Sequence, residues 1–340
     1  MPNPPSAWRI DESKYPKNGS PADRLRFLLR YAVLAPSGHN SQPWMFRLSG
    51  DAVELHADTR RELPIVDPDN RELVISCGAA LSFLRIAMRR FGHEPVTELL
   101  PDSNNANFLA RIRLGEEAVV PEEDTALFQA ITKRRTNRQS YDVRPIPFDL
   151  YAALQEAAQT ENAWLHFVPS GREREQVGEM TEQGGIALAS NPKFRRELAS
   201  WIRTNWSRAK DGMPGFTFGW SGSESLLMPL AMRVVEWGRA QGRAARDLVN
   251  DAPAHCVLGV SGDEPIDWLR TGQALGRVLL YARSQDVWAH FLNQPVQVPE
   301  LRRRLAELLG KDGPPQLAFR MGYALDVRPS PRRPVKDVLT

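Results

Sequence analysis

The stretch "CGAALSFLRIAMRR", residues 77–90, decides the fold, because it returns as "TGQALGRVLLYARS" at residues 271–284. The offset, 271 − 77 = 194, sets Gly78 against Gly272, Ala80 against Ala274 and Leu81 against Leu275. Both stretches read as long apolar helices. The flanking strands come round in the same order: "QPWMFRL" from Gln42 is answered by "NAWLHFV" from Asn162, and "FLARIRLG" from Phe108 by "QLAFRMG" from Gln316. A repeated order of elements changes the whole architecture. It predicts two diverged copies of one α/β unit, an α+β sandwich in which two sheets flanked by helices form an internal pseudo-dimer. The copies meet near "GEEAVVPEEDT", which sets a first half at residues 1–120 and a second at 121–340. A length of 340 residues suits two units of this size.

Bulk properties narrow the function. With 42% hydrophobic and 25% charged residues, and no apolar run long enough for a membrane span, the chain reads as globular, with no membrane partner. The N-terminus is proline-rich and acidic where a signal peptide needs a basic start and an apolar core, so a cytoplasmic location is expected. Cys77 and Cys256 each lie in apolar context and read as reduced core residues. A net charge of +3 from 44 basic and 41 acidic residues provides no basic face for nucleic acid. The six histidines show no metal-ligand spacing, so no metal is expected. "GVSGD" from Gly259 falls short of a nucleophile elbow, and neither a dinucleotide fingerprint nor a phosphate-loop lysine is present.

The two halves differ in two motifs. Only the first carries "APSGHNSQPW", residues 35–44, between an amphipathic helix over Ala22–Val33 and the hairpin "WMFRLSGDAVELHAD". Turn chemistry accounts for Pro36, Ser37 and Gly38, but not for Asn40, Gln42 and Trp44. Only the second carries "KRRTNRQSYD", residues 133–142, at the close of a helix beginning near Asp124. Taken alone, this run describes a charged helix end as well as an anion clamp, in which arginines fork onto phosphate oxygens.

Together, "APSGHNSQPW" and "RRTNRQSYD" resemble the flavin loop and the Arg-x-Ser/Thr-x-Arg/Lys phosphate motif of the FMN-dependent nitroreductase family. The resemblance covers roughly residues 20–335. Since each half keeps one of the two pieces, the chain is similar to the fused, dimer-mimicking Acg-like branch. The resemblance implies a nitroreductase-like fold, a monomer acting as a pseudo-dimer, and one FMN between the halves. It places Arg134 and Arg135 at the phosphate, Thr136 at the phosphate or ribityl chain, and Arg138 beside the flavin N1–C2=O edge. Pro36, Ser37, Gly38 and Asn40 would line the ring and ribityl chain, with Gln42 and Trp44 behind the loop. "RPSPRRPVKD" resembles the family's closing basic segment, so that Arg332 or Arg333 would return to the phosphate. "AHFLNQPVQ" sits where the family covers the flavin face, which makes Leu292, Asn293 and Gln294 candidates near N5.

The aromatic, glycine-rich stretch at 201–230 is too apolar for a free linker and reads either as a lid bringing Phe216, Phe218 and Trp220 over the cavity or as packing between the halves. The implied function is an oxidoreductase that passes hydride from NAD(P)H through the flavin to a nitroaromatic, a quinone or a similar acceptor, with no side chain needed as a conventional acid or base. The alternative is a protein that stores or sequesters FMN with little turnover.

Overall fold

The computed structural model describes residues 6–340. In chain order the elements are α1 (Pro21–Ala32), β1 (Trp44–Ser49), β2 (Ala52–Ala57), α2 (Arg71–Arg90), β3 (His93–Leu99), β4 (Phe108–Glu117), α3 (Glu122–Ile131), α4 (Phe148–Gln159) and β5 (Trp164–Val168). There follow α5 (Arg172–Ser190), α6 (Pro192–Trp201), β6 (Ile202–Arg203), β7 (Met213–Pro214), α7 (Gly222–Val234), α8 (Gly238–Asn250) and β8 (Ala254–Gly259). The chain closes with α9 (Pro265–Ser284), β9 (Trp288–Phe291), α10 (Gln294–Gln297), α11 (Pro299–Leu309) and β10 (Pro315–Gly322).

The duplication is visible in the sheets. One runs β1-β2-β4-β3 and the other β5-β8-β10-β9, so each half orders its four strands first, second, fourth, third. All these pairings are antiparallel. Corresponding corners share even their backbone strain: Gln42 before β1 and Asn162 before β5 are left-handed, with φ of 53° and 57°. Strand β3 carries no signal in the sequence reading. It is an edge strand holding Pro95 and alternating exposed polar residues, which looks like a loop when its neighbour is unknown.

The repeated helices α2 and α9 cross between the sheets. Each is buried almost all round, which explains the near absence of a polar face in their sequences. The crossing is close because glycines sit at it. A Cβ on Gly78 would lie 2.4 Å from the Leu269 carbonyl oxygen, and one on Gly272 would lie 2.1 Å from that of Ile75. Helix α2 starts where the Asp67 carboxylate accepts from the N–H groups of Glu72 (3.0 Å) and Leu73 (2.8 Å).

Packing does not follow the order of the chain. Helix α3, beyond residue 121, contributes Leu127, Phe128 and Ile131 to the core that holds α1 and β1. The C-terminal tail also returns to the first sheet, where the Phe46 N–H donates to the Val338 carbonyl and the Thr340 N–H to that of Phe46. Residues 328–337 are thereby drawn across the junction of the halves. Cys77 and Cys256 are buried free thiols. Among the described residues no helix is long and apolar enough to cross a membrane.

Candidate functional site

A cavity opens where the flavin-like loop of the first half faces the arginine run of the second. The loop is a strained turn. His39, Asn40 and Gln42 all have positive φ (49°, 56° and 53°), a conformation that non-glycine residues hold only when their surroundings enforce it. The enforcement is a set of hydrogen bonds. The Ser37 hydroxyl accepts from the Gln42 N–H (2.9 Å) and the Ser76 hydroxyl from the Gly38 N–H (3.4 Å). Gln42 is fully buried: its amide donates to the Lys210 carbonyl (2.8 Å) and accepts from the Arg333 N–H (2.7 Å). Trp44 is likewise fully buried, behind the loop.

The cations come from two places. Arg134, Arg135, Thr136 and Arg138 follow α3, and Thr136 bridges to Ala289 on β9, fixing the segment to the edge of the second sheet. Arg332 arrives on the returning tail. Its guanidinium donates to the Asn40 side-chain oxygen at 2.7 Å and, with Arg134, converges on the carbonyl of Leu34 just beyond α1. Trp8 lies against two of them, its ring 4.5 Å from the Arg135 guanidinium carbon and 5.1 Å from that of Arg332. Among the described residues none of Arg134, Arg135, Arg138 and Arg332 forms an ion pair with a carboxylate. The Nε atoms of Arg134, Arg135 and Arg332 are buried without any partner.

Burial dominates the electrostatics. It pushes Arg134 down to about 9 and Arg138 to about 10, and it holds Arg332 well below the usual arginine value, with Arg134 and Arg135 adding repulsion. All remain cationic at neutral pH. His39 is pushed down to about 4 by burial and by Arg138, so it is neutral there. The cavity is thus lined by these four arginines, which have no carboxylate ion pair among the described residues, by the neutral His39 and by the buried Glu72.

Of the thirteen residues singled out from the sequence, eleven line this cavity and two do not. Leu292, just past β9, is 2% exposed and packs in the core with Val257, Val296 and Ala318. Asn293 and Gln294 beside it do line the cavity, and the Gln294 side-chain oxygen is buried with no partner. Arg333 turns outward to the carbonyls of Gln42 (3.0 Å) and Asp337 (2.7 Å), where it fastens the tail. Of Phe216, Phe218 and Trp220, Phe218 lines the cavity, with the Arg138 guanidinium carbon 5.0 Å from its ring. Trp220 stacks on Phe218 at 4.9 Å, and Phe216 instead meets Arg328.

Sequence reading missed Trp8, Glu72 and His290. A lone tryptophan in a polar, proline-rich stretch was the available signal for Trp8. Glu72 sits in the first turn of a helix, where an acidic residue reads as ordinary dipole compensation. His290 is held well below the usual imidazole value by burial and then by Arg138 and Arg320, which come from distant parts of the chain.

Two antiparallel sheets of identical strand order, crossed by a duplicated helix pair, define a fused two-unit architecture with an arginine-lined cavity at its junction. This chain belongs to the NAD(P)H nitroreductase family. It is 30% identical over 325 residues to a Mycobacterium tuberculosis protein named as NAD(P)H nitroreductase Rv3131, covering 94% of this chain and 91% of that one. To the protein of the same organism named as NAD(P)H nitroreductase Acg it is 26% identical, covering 93% and 95%. Among solved structures, the FMN-dependent nitroreductase NfnB from Mycobacterium smegmatis in complex with NADPH matches 63% of this chain and 92% of its own, at 14% identity and a TM-score of 0.37. No family-level sequence profile matches the chain.

Proposed function

We propose that the chain binds FMN in this cavity and reduces an electron-poor acceptor, a nitroaromatic or a quinone, with electrons from NADH or NADPH. One observation carries the reading: Arg134, Arg135 and Arg332 are clustered, each with a buried unpartnered Nε, and among the described residues none of them forms an ion pair with a carboxylate. Burying cations without a partner costs several kcal/mol each, an expense a fold tolerates where an anion completes the site. Three forked guanidinium groups suit the oxygens of a terminal phosphate. The neutral donors and acceptors of Ser37, Asn40, Asn293 and Gln294 suit the edge of a flavin ring.

Bound flavin supplies the hydride chemistry, taking electrons from the nicotinamide and passing them to the acceptor. The protein supplies charge and orientation. Arg138, held against Phe218 and the Met213 sulfur, is a preorganised cation for negative charge that develops on reduction. The purified protein is expected to release FMN rather than FAD, and anaerobic mixing with NADH or NADPH is expected to bleach the flavin band. FAD, or a colourless protein that FMN does not reconstitute, would refute the reading.

A storage role is favoured by a different observation. The Gly212 N–H donates to the Asn40 carbonyl and its carbonyl accepts from the Asn40 side chain, which ties 201–230 down on the flavin loop. Bound FMN that neither nucleotide bleaches would select storage over turnover.

We further propose one FMN per monomeric chain. At the pseudo-equivalent corner before β5, Glu161 is held by Arg85 at 2.8 Å, beside Gln273, so an ion pair stands where the second flavin loop would be. An acidic group there would oppose the charge of a reduced flavin. Light scattering at the mass of one chain, with an FMN titration that breaks at one equivalent, is the expected result. A break at two equivalents would show that the corner still binds flavin.

A further inference from the structure

Glu72 is a buried carboxyl in the first turn of α2. Its side chain is about 8% exposed and lines the cavity on the side of Gly38 and Ser76, while Arg134 and Arg332 gather at Leu34. The two carboxyl oxygens are not equivalent. Oε1 receives the Gln297 amide at 3.0 Å and the Arg71 guanidinium at 3.4 Å. Oε2 has the longer Gln297 contact, at 3.3 Å, and faces Gly38, where a Cβ would stand 4.0 Å away, and the Asn293 amide also reaches the carboxyl. Oε2 is therefore the oxygen free to carry a proton toward the cavity.

The surroundings favour a neutral carboxyl. Arg71 is committed elsewhere, to the backbone carbonyl and side-chain oxygen of Gln316 and to the Val296 carbonyl. Behind it, Asp263 pairs with Arg302, which also holds Gln316. In the turn before α2, Asp67 accepts two backbone N–H groups, which favour its anion although burial raises it above the usual carboxylate value, while Glu197 caps the N–H groups of Ile65 and Val66. The groups from α10 and its flank, Gln297 and Asn293, are neutral, as is His39 on the loop. Burial, with repulsion from Asp67, pushes Glu72 up to about 7.

We propose that Glu72 is the proton-delivering residue of this cavity, its Oε2–H giving the acceptor the proton that must accompany hydride. The inference rests on the flavin reading. For a quinone the balance is complete. The acceptor gains two electrons and one hydrogen as hydride, which originates in NAD(P)H. The Glu72 O–H bond breaks as an O–H bond forms on the quinone oxygen, yielding the hydroquinone. The carboxylate then takes a proton back from water.

The test is Glu72→Gln in the holoprotein, with quinone as acceptor. In wild type the quinone step should fall as pH rises through about 7, since the protonated form is the active one. In the variant that step should be about 100-fold slower and flat with pH, the range of general acid catalysis, while FMN affinity and flavin reduction by NADPH stay within a few-fold. A second readout needs no turnover: the infrared difference between wild type and variant should contain a protonated carboxyl band that disappears through the same pH range. Gln297→Leu removes the donor that favours the anion and should move both titrations to higher pH. If both proteins bind FMN and the quinone step keeps its wild-type rate and pH profile, or if no carboxyl band titrates, Glu72 is not the donor. If neither protein binds FMN, the flavin reading fails and the delivery role falls with it.

Discussion

Gly272→Ala is expected to destabilise the protein by more than about 3 kcal/mol, the upper end of what overpacking costs. The reason is what the new methyl meets. It would lie 2.1 Å from the Ile75 carbonyl oxygen and 2.7 Å from the Gly78 Cα, and backbone cannot rotate away as a side chain can. Gly276→Ala provides the contrast. Its methyl meets the Ser82 Cβ and Oγ, each at 2.7 Å, and the nearest backbone oxygen only at 3.5 Å; Oγ can rotate away and a small shift between the helices relieves the Cβ contact, so a smaller loss of about 1–3 kcal/mol is expected. Urea unfolding of the three proteins measures both values. Because the cavity lies between the halves that this crossing joins, Gly272→Ala should also weaken FMN binding although it touches no cavity residue. Equal stability of the two variants would mean that α2 and α9 do not meet backbone to backbone.

Arg332→Ala and Arg134→Ala should each weaken FMN binding by about 1.5–3 kcal/mol, the range for hydrogen bonds to a charged group, or roughly 10- to 150-fold in Kd. Arg333→Ala should change it far less, since that guanidinium holds Gln42 and Asp337 outside the cavity. The apoproteins should show the opposite trend in stability. Removing Arg332 relieves a buried cation that repels Arg134 and Arg135, so the apo form of Arg332→Ala should unfold no more easily than wild type apart from the lost bond to Asn40. Fluorescence titration with FMN and urea unfolding without it separate the two effects. An Arg333→Ala loss as large as that of Arg332→Ala would reverse the assignment.

Much of the architecture could be read from the chain because it is local or repeated. The helix pair 77–90 and 271–284 carried its apolar period and its glycines openly, and the strands beginning at Trp44, Phe108 and Trp164 carried alternation. The flavin-like loop and the arginine run were legible as motifs, since their residue types depend on what they bind more than on where the rest of the chain goes. The sequence alone determined the duplication, the asymmetry between the halves and most of the residues that face the cavity. Tertiary structure decided the rest, wherever the answer lay in a partner far along the chain. It chose Arg332 over its neighbour Arg333, because the tail crosses to β1 and only one of two adjacent side chains can point inward. It sent Leu292 into the core with Val257 and Ala318 and brought Trp8 onto Arg135 and Arg332. It also turned Glu72 from a helix-start acid into a buried carboxyl. Burial and charge pairing are set by residues hundreds of positions apart, so no local pattern encodes them.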